Sequence, residues 1–338
     1  MTADVVGSEW TYSLELARAL AAHGVRVSLS TSCSTLTKDQ RREAARVPGL
    51  AVYDAGFKLD WSAGFPEDLG KARSWLLKLE ERLSPDIVHL NGFSYGPIVF
   101  RSPVVVVAHS ASPMIRAGGE RSDQIRLNAE IKAALDCADL LIVPTYALLD
   151  ELKTSFHLNL PSKVIPYFRR GTDYRTSPKQ KFVLSAGKSN EGAKARAAVE
   201  RAASELDWPV VTANATRAST KTAEQFSKAA IYCIPSQSES SDVPVLEGAL
   251  SRCALVIGDV PNLRENWNNC ALFVPPGNTE LLRKSLQMLI VDQDLREDMA
   301  QRAFTRAREF APERCIDDYL DAYQGAFSEK HKQEAKII

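Results

Sequence analysis

Residues 182–194, FVLSAGKSNEGAK, run an apolar, strand-like segment into Gly187-Lys188-Ser189 and then into a helical pattern. A glycine turn at a helix N-terminus presents unpaired backbone N–H groups, and Lys188 and Lys194 add positive charge beside them. Such a stretch can hold an anion such as phosphate. It is not a nucleoside-triphosphate loop, which needs a glycine five places before the Gly-Lys pair to wrap the phosphates; Phe182 stands there instead. A second group lies in PSQSESSDVPVLEGAL (235–250), where Glu239 and Glu247 are separated by seven residues. If the helix begins near Pro244, Glu247 falls in its first turn and Glu239 in the loop before it, so both can face one crevice. Carboxylates placed this way accept hydrogen bonds from the vicinal hydroxyls of a ribose or a sugar. The alternative is that Glu247 only complements the helix dipole and Glu239 is solvated. A third motif, GFSYG (92–96), fits the G-x-S-x-G nucleophile elbow, but that elbow must open a long helix behind the serine. Pro97 follows at once and Pro103 starts the next strand, leaving no room for one.

These residues need elements to position them. Short apolar runs without polar alternation, VRVSLST (25–31), DIVHLN (86–91), PVVVVAH (103–109) and DLLIVP (139–144), suit parallel strands covered on both faces. Helical patterns fall at 9–23, 67–83, 122–138 and 145–157. The polar stretch 166–181, PYFRRGTDYRTSPKQK, interrupts the alternation and reads as an interdomain linker. Strand-like runs resume at 182–187, 209–214, 230–236, 254–260 and 271–276, with helical patterns between them and through 279–328. Two doubly wound α/β domains are expected, at 1–165 and 182–315, followed by a C-terminal helix and tail at 316–338. Ligands of such sheets lie beyond the carboxyl ends of strands, which selects Gly187, Lys188, Asn214 and 235–250 in the second domain.

Composition narrows the function. The 338 residues hold 42 basic and 42 acidic side chains, nearly balanced in each half, which argues against a nucleic-acid partner or more than peripheral membrane contact. The six cysteines are scattered, without C-x-x-C or metal-ligand spacing, and read as reduced thiols. No apolar run approaches a membrane span and no basic-then-apolar signal opens the chain, so a cytoplasmic protein is expected.

The segment PSQSESSDVPVLEGALSRCALVIGDVPNLRENWNNCALFVPPGNTELL resembles the donor-binding part of retaining GT-B glycosyltransferases of family 4, whose signature is E-x7-E. Its 246–276 portion is the most specific and is most similar to a bacterial branch with a CALVLGD…ALFVPP run. TADVVGSEWTYSLELARALAAHGVRV, PDIVHLNG, VVVVAHS and SAGKSNEGAK extend the resemblance over nearly the whole chain. It implies the GT-B fold, two Rossmann-like doubly wound parallel-sheet domains facing a central cleft, the C-terminal helix packing back on the N-terminal, acceptor-side domain. It also implies transfer of a sugar from a nucleotide diphospho-sugar to a saccharide, lipid-linked or small-molecule acceptor, as in polysaccharide biosynthesis, with no metal or other cofactor. By the same resemblance Glu239 contacts the donor sugar, Glu247 the nucleotide ribose, and Lys188 and Lys194 the diphosphate. Gly7 and Gly187 allow close backbone approach, Asp242 and Val243 line the donor, and His109, Lys194 and Glu239 form the catalytic set.

Several positions depart from the family pattern. Ser8 replaces a second glycine, Lys188 an arginine, and Ser241 and Asp242 a Phe-Gly pair. A lysine lacks the two-pronged grip of guanidinium on phosphate, and Asp242 could either accept a sugar hydroxyl or repel the diphosphate. The stretch from Asn214 to Ala230 is short for the family, and the family carries a further apolar segment upstream of MTAD. These departures leave open a nucleotide-sugar-binding protein impaired in transfer, or a sugar-nucleotide epimerase of the same architecture.

Overall fold

A computed structural model describes residues 1–5, 8–32, 35–54, 56–57, 67–111, 121–174, 177–186, 190–213, 220–235 and 242–335. At 8, 32, 121–124, 186, 190–196, 213, 220–221 and 333–335 it describes the backbone alone. The chain divides into two compact units, Met1–Pro166 with Cys315–Ile338, and Tyr167–Arg314.

In unit 1 the order is β1 (Thr2–Asp4), α1 (Ser8–Ala21), β2 (Val27–Ser32), α2 (Lys38–Ala44), β3 (Leu50–Asp54), α3 (Leu69–Leu83), β4 (Val88–Asn91), β5 (Val104–Val107), α4 (Arg121–Asp136), β6 (Leu140–Val143), α5 (Tyr146–Phe156) and β7 (Ser162–Val164). All strands are parallel, in two ladders ordered β1-β2-β3 and β4-β5-β6-β7. The first ladder grows from β1 and the second from β4, so the direction of winding reverses where β1 meets β4. Asn91 closes that seam: its backbone N–H donates to Thr2 Oγ1 at 3.0 Å and its side-chain Nδ2 to Thr2 O at 2.7 Å. β5 is four valines, all buried, as expected of a strand covered by helices on both faces. Residues 92–103, after β4, form no helix, so Ser94 does not sit at a nucleophile elbow.

Unit 2 runs β8 (Gln180–Ala186), α6 (Asn190–Ala203), β9 (Val210–Ala213), α7 (Thr220–Lys228), β10 (Ala229–Ile234), α8 (Asp242–Leu250), β11 (Ala254–Gly258), α9 (Pro261–Trp267), β12 (Leu272–Val274), α10 (Thr279–Val291) and α11 (Gln293–Ala307). Its parallel sheet has the order β12-β11-β10-β8-β9, so the reversal lies between β8 and β10. Every residue of β10 and β11 is buried. Gly248 of α8 is required by packing, because a Cβ there would lie 2.9 Å from Cδ1 of the Tyr232 ring on β10.

The segment read from sequence as a linker differs in the structure: residues from Tyr167 onward pack as part of unit 2. Its polar residues find distant partners. The Arg169 N–H donates to Phe310 O at 3.1 Å, and Lys179 Nζ donates to the carbonyls of Ser227 at 3.1 Å and Ser251 at 2.5 Å. The last helix, α12 (Pro312–Ala335), closes unit 1 through Tyr319, Tyr323, Asp318 and Lys330, which meet Tyr12, His89, Lys163 and Asp139.

Candidate functional site

In unit 2 the elements that carry the sequence-derived site residues are neighbours. β8 leads to Lys188 and α6, β10 leads to Glu239 and α8, and the two strands pair directly, with Cys233 opposite Ser185. Both strands therefore end at the same carboxyl edge, at the point where the sheet reverses. Gly187, Lys188 and Glu239 themselves lie outside the described residues, as does Gly7 in unit 1. Lys194 is placed by its backbone alone, in the second turn of α6.

α8 begins at Asp242, two residues earlier than Pro244. Glu247 is thus past the first turn, where the helix dipole acts, and the dipole reading passes to Asp242. Glu247 is half-buried, and the buried Arg169 guanidinium lies beside it, Nε 3.5 Å from Oε1. Sequence reasoning missed Arg169 because it fell in the presumed linker. Asp242 has a partner of its own. It is 4% exposed and accepts a hydrogen bond from Asn266 Nδ2 at 3.3 Å, so it is engaged with α9 and not presented as a free carboxylate. Burial pushes its carboxyl up to about 7. The Val243 side chain is buried as well, so any contact it makes with a donor falls to its backbone.

In unit 1, His109 follows β5 and is half-buried, its ring set edge-on to Tyr12 at 5.1 Å between centroids. Burial pulls its imidazole down to about 4, so it is neutral at pH 7. Its Nε2 lies 3.3 Å from Asn91 Oδ1. The same oxygen is 3.0 Å from His89 Nε2, and His89 Nδ1 is 2.7 Å from the Tyr323 hydroxyl. His89, also buried, is drawn down to about 3 by desolvation first and by the nearby chain amino group second. Glu9, in the first turn of α1, accepts from the Asp4 N–H at 3.1 Å; burial, then the charge of Asp4, raises it to about 7. Asn91, His89 and Glu9 were not selected from sequence. Two polar residues alternating within the apolar run DIVHLN were the available signal for the first two.

Among the described residues no group of three or more His, Cys, Asp or Glu is arranged to hold a metal ion, and no helix is long and apolar enough to cross a membrane.

The model of Glycosyltransferase Family 4 matches residues 10–168, just under half of the chain and the half opposite to the segment whose motif is most specific. No curated protein sequence matches the chain significantly. Sucrose-phosphate synthase from Thermosynechococcus elongatus superposes with a TM-score of 0.74 at 14% identity, over 94% of this chain and 93% of that one. WaaG, a glycosyltransferase involved in lipopolysaccharide biosynthesis, gives 0.68 at 13% identity over 94% and 99%. The pneumococcal O-GlcNAc transferase GtfA, solved with UDP and GlcNAc, gives 0.56 at 15% over 75% and 60%. Residues 10–168 thus match Glycosyltransferase Family 4, and the chain has the two-unit, Rossmann-like fold of the GT-B glycosyltransferases.

Proposed function

We propose that the protein is a retaining glycosyltransferase that moves a sugar from a nucleotide diphospho-sugar to a hydroxyl of a saccharide, lipid-linked or small-molecule acceptor, acting in the cytoplasm without a metal. The observation that carries this reading is the pairing of β8 with β10 at the reversal of the unit 2 sheet. It puts the ends of the strands that precede the 187–189 turn and the 235–250 segment side by side at one edge of the sheet. The UDP and GlcNAc bound by the pneumococcal relative fit the same ligand class.

In the proposed reaction the bond from the anomeric carbon to the phosphate oxygen breaks, and negative charge grows on the departing nucleotide. Lys188, Lys194 and the N-terminus of α6 neutralise that charge, the largest single task in such a step. Gly187, and Gly7 of unit 1, let the backbone come close. Glu247 accepts from the ribose hydroxyls and Glu239 from the donor sugar, while the backbone of Val243 borders the donor. His109 is the unit 1 group that contacts the transferred sugar. The departing phosphate oxygen takes the proton of the acceptor hydroxyl, so no separate base is needed.

Seating Asp242 against Asn266 favours transfer over an impaired binding scaffold, because it withdraws from the diphosphate the carboxylate that would repel it. A thermal-shift panel of uridine, guanosine and adenosine diphospho-sugars tests the reading. One base should raise the melting temperature, with stabilisation of about 2.7 kcal/mol at a hundredfold excess over Kd. The stabilising donor is then offered to mixed acceptors, and the anomeric configuration of the product is read by NMR. No response to any sugar nucleotide would overturn the proposal, and an inverted product would overturn retention.

A further inference from the structure

A lysine and a cysteine meet at the amino edge of the unit 2 sheet, opposite the edge where β8 and β10 end. Lys179 stands just before β8 and Cys253 just before β11, and the order β11-β10-β8 puts the start of β10 between them. Lys179 is an exposed residue, yet its Nζ turns inward and donates to Ser251 O, just past α8, at 2.5 Å and to Ser227 O, in the last turn of α7, at 3.1 Å. The same nitrogen lies 3.8 Å from Cys253 Sγ. Cys253 is fully buried, and its S–H is directed at the carbonyls of Ala229 at 3.3 Å and Phe226 at 3.5 Å, which leaves the sulfur lone pairs to the ammonium. The carbonyls thus hold the amine against the sulfur, and the two reactive atoms are neighbours before any reaction.

We propose that Lys179 and Cys253 form a modification site: hydrogen peroxide joins them through a reversible sulfur–nitrogen bond, a clamp across three strands of unit 2. The cross-link is independent of the glycosyltransferase reading. In the first step the Cys253 sulfur takes an oxygen from peroxide, the O–O bond breaks and water leaves, giving a sulfenic acid. In the second the lone pair of the neutral Lys179 amine attacks that sulfur, the S–O bond breaks, and the hydroxyl departs as water with a proton from the nitrogen. Thiol, amine and peroxide thus become a sulfenamide and two waters, the sulfur losing two electrons and the peroxide gaining them. A dithiol reductant reverses the bond, returning the thiol and the amine and leaving as its own disulfide. Burial pulls the Lys179 ammonium below the usual lysine range, which enlarges the neutral share that the second step needs. Burial also holds the Cys253 thiol up at about 11, so oxidation is the slow step and the amine is already in place when the sulfenic acid forms.

Peptide mapping by mass spectrometry of the full chain, after prolonged exposure to millimolar hydrogen peroxide, tests this and needs no variant to fold. The peptides that contain Lys179 and Cys253 should appear joined, lighter by two hydrogens than their sum, and should separate on treatment with dithiothreitol. The oxidised protein should melt roughly 5 °C or more above the reduced one, because the bond ties together positions 179 and 253 in the unfolded chain, and dithiothreitol should remove the difference. Lys179→Arg keeps a cation for the carbonyls but offers no nucleophilic amine, so it should show neither the joined peptides nor the rise in melting temperature. Cys253 recovered from the oxidised wild-type protein as a sulfinic or sulfonic acid, or unchanged, with no joined peptide would overturn the proposal. Joined peptides that leave the melting temperature where it was would overturn the clamp.

Discussion

Unit 1 and unit 2 carry the same kind of parallel sheet, yet they handle polar groups at the point of reversal in opposite ways. In unit 1 the polar groups are inside the sheet: His89 and Asn91 occupy alternate positions of β4 and are 3% and 2% exposed. In unit 2 every residue of the reversal strand β10 is buried, and the residues read from sequence as charged ligands, Lys188 and Glu239, come after the strands in the chain. Burying amides and imidazoles is tolerable only when every donor and acceptor is matched, and the matching then dictates which atom carries which proton. On the proposed function, lysines that follow a strand near a helix N-terminus stay charged for a diphosphate. On the proposed function, the task of unit 2 is to neutralise charge.

The largest expected effect tests the charged side of this contrast. Lys194→Ala should lower transfer by roughly a hundredfold or more, about 3 kcal/mol of lost charge stabilisation, without shifting the melting temperature of the free protein. Undiminished turnover would remove the lysine from the mechanism and blur the division of labour. A smaller effect is expected from Gly248→Ala, which forces α8 off the Tyr232 ring of β10. It should cost about 1–3 kcal/mol in a urea melt, as overpacking does. A neutral outcome would mean that the scaffold of unit 2 is looser than its buried strands imply.

The smallest effect separates the units by pH. The folded-state values of His89 and His109, about 3 and about 4, lie below the ordinary imidazole value of about 6.5, so the unfolded chain binds more protons. Their contribution is present above that value and is lost as pH falls toward 4, with Glu9, raised to about 7, opposing in part. Asp242 has the reverse sign. Its folded value of about 7 exceeds the ordinary carboxyl value of about 3.9, so its contribution is present at low pH and lost as pH rises to 7. The cation-paired Glu224, Asp259 and Glu280 pull weakly the other way. Asp242→Asn should therefore stabilise unit 2 at pH 7 and make little difference at pH 4, read by hydrogen exchange resolved to α8 and α9. Equal effects at both pH values would show that the carboxyl is not held protonated by burial.

The fold was largely legible because burial on two faces writes itself into uninterrupted apolar runs: PVVVVAH and AIYCIPS are strands in the structure, as β5 and β10. What escaped were features decided by distant partners. Arg169 and Lys179 look like linker residues until Phe310, Ser227 and Ser251 are beside them. The sequence reads Asp242 as lining the donor and gives no sign of its hydrogen bond from Asn266 on the next helix. The strand-end rule pointed to the edge where β8 and β10 meet, but it works on strand termini and so passed over His89 and Asn91 within β4. The start of α8 was misplaced because Pro244 suits the first turn wherever the helix begins within two residues before it.

The return of α12 to unit 1 has a consequence for synthesis. Unit 2 is one continuous stretch, whereas unit 1 is assembled from both ends of the chain. A ribosome synthesises all of unit 2 before Tyr319 and Tyr323, so the first-made segment is the last to be completed. Until that final helix emerges, the hydroxyl of Tyr12 has no Tyr319 to meet and the ring of His89 no Tyr323. The nascent chain must carry its opening sheet unfinished while the inserted unit is made.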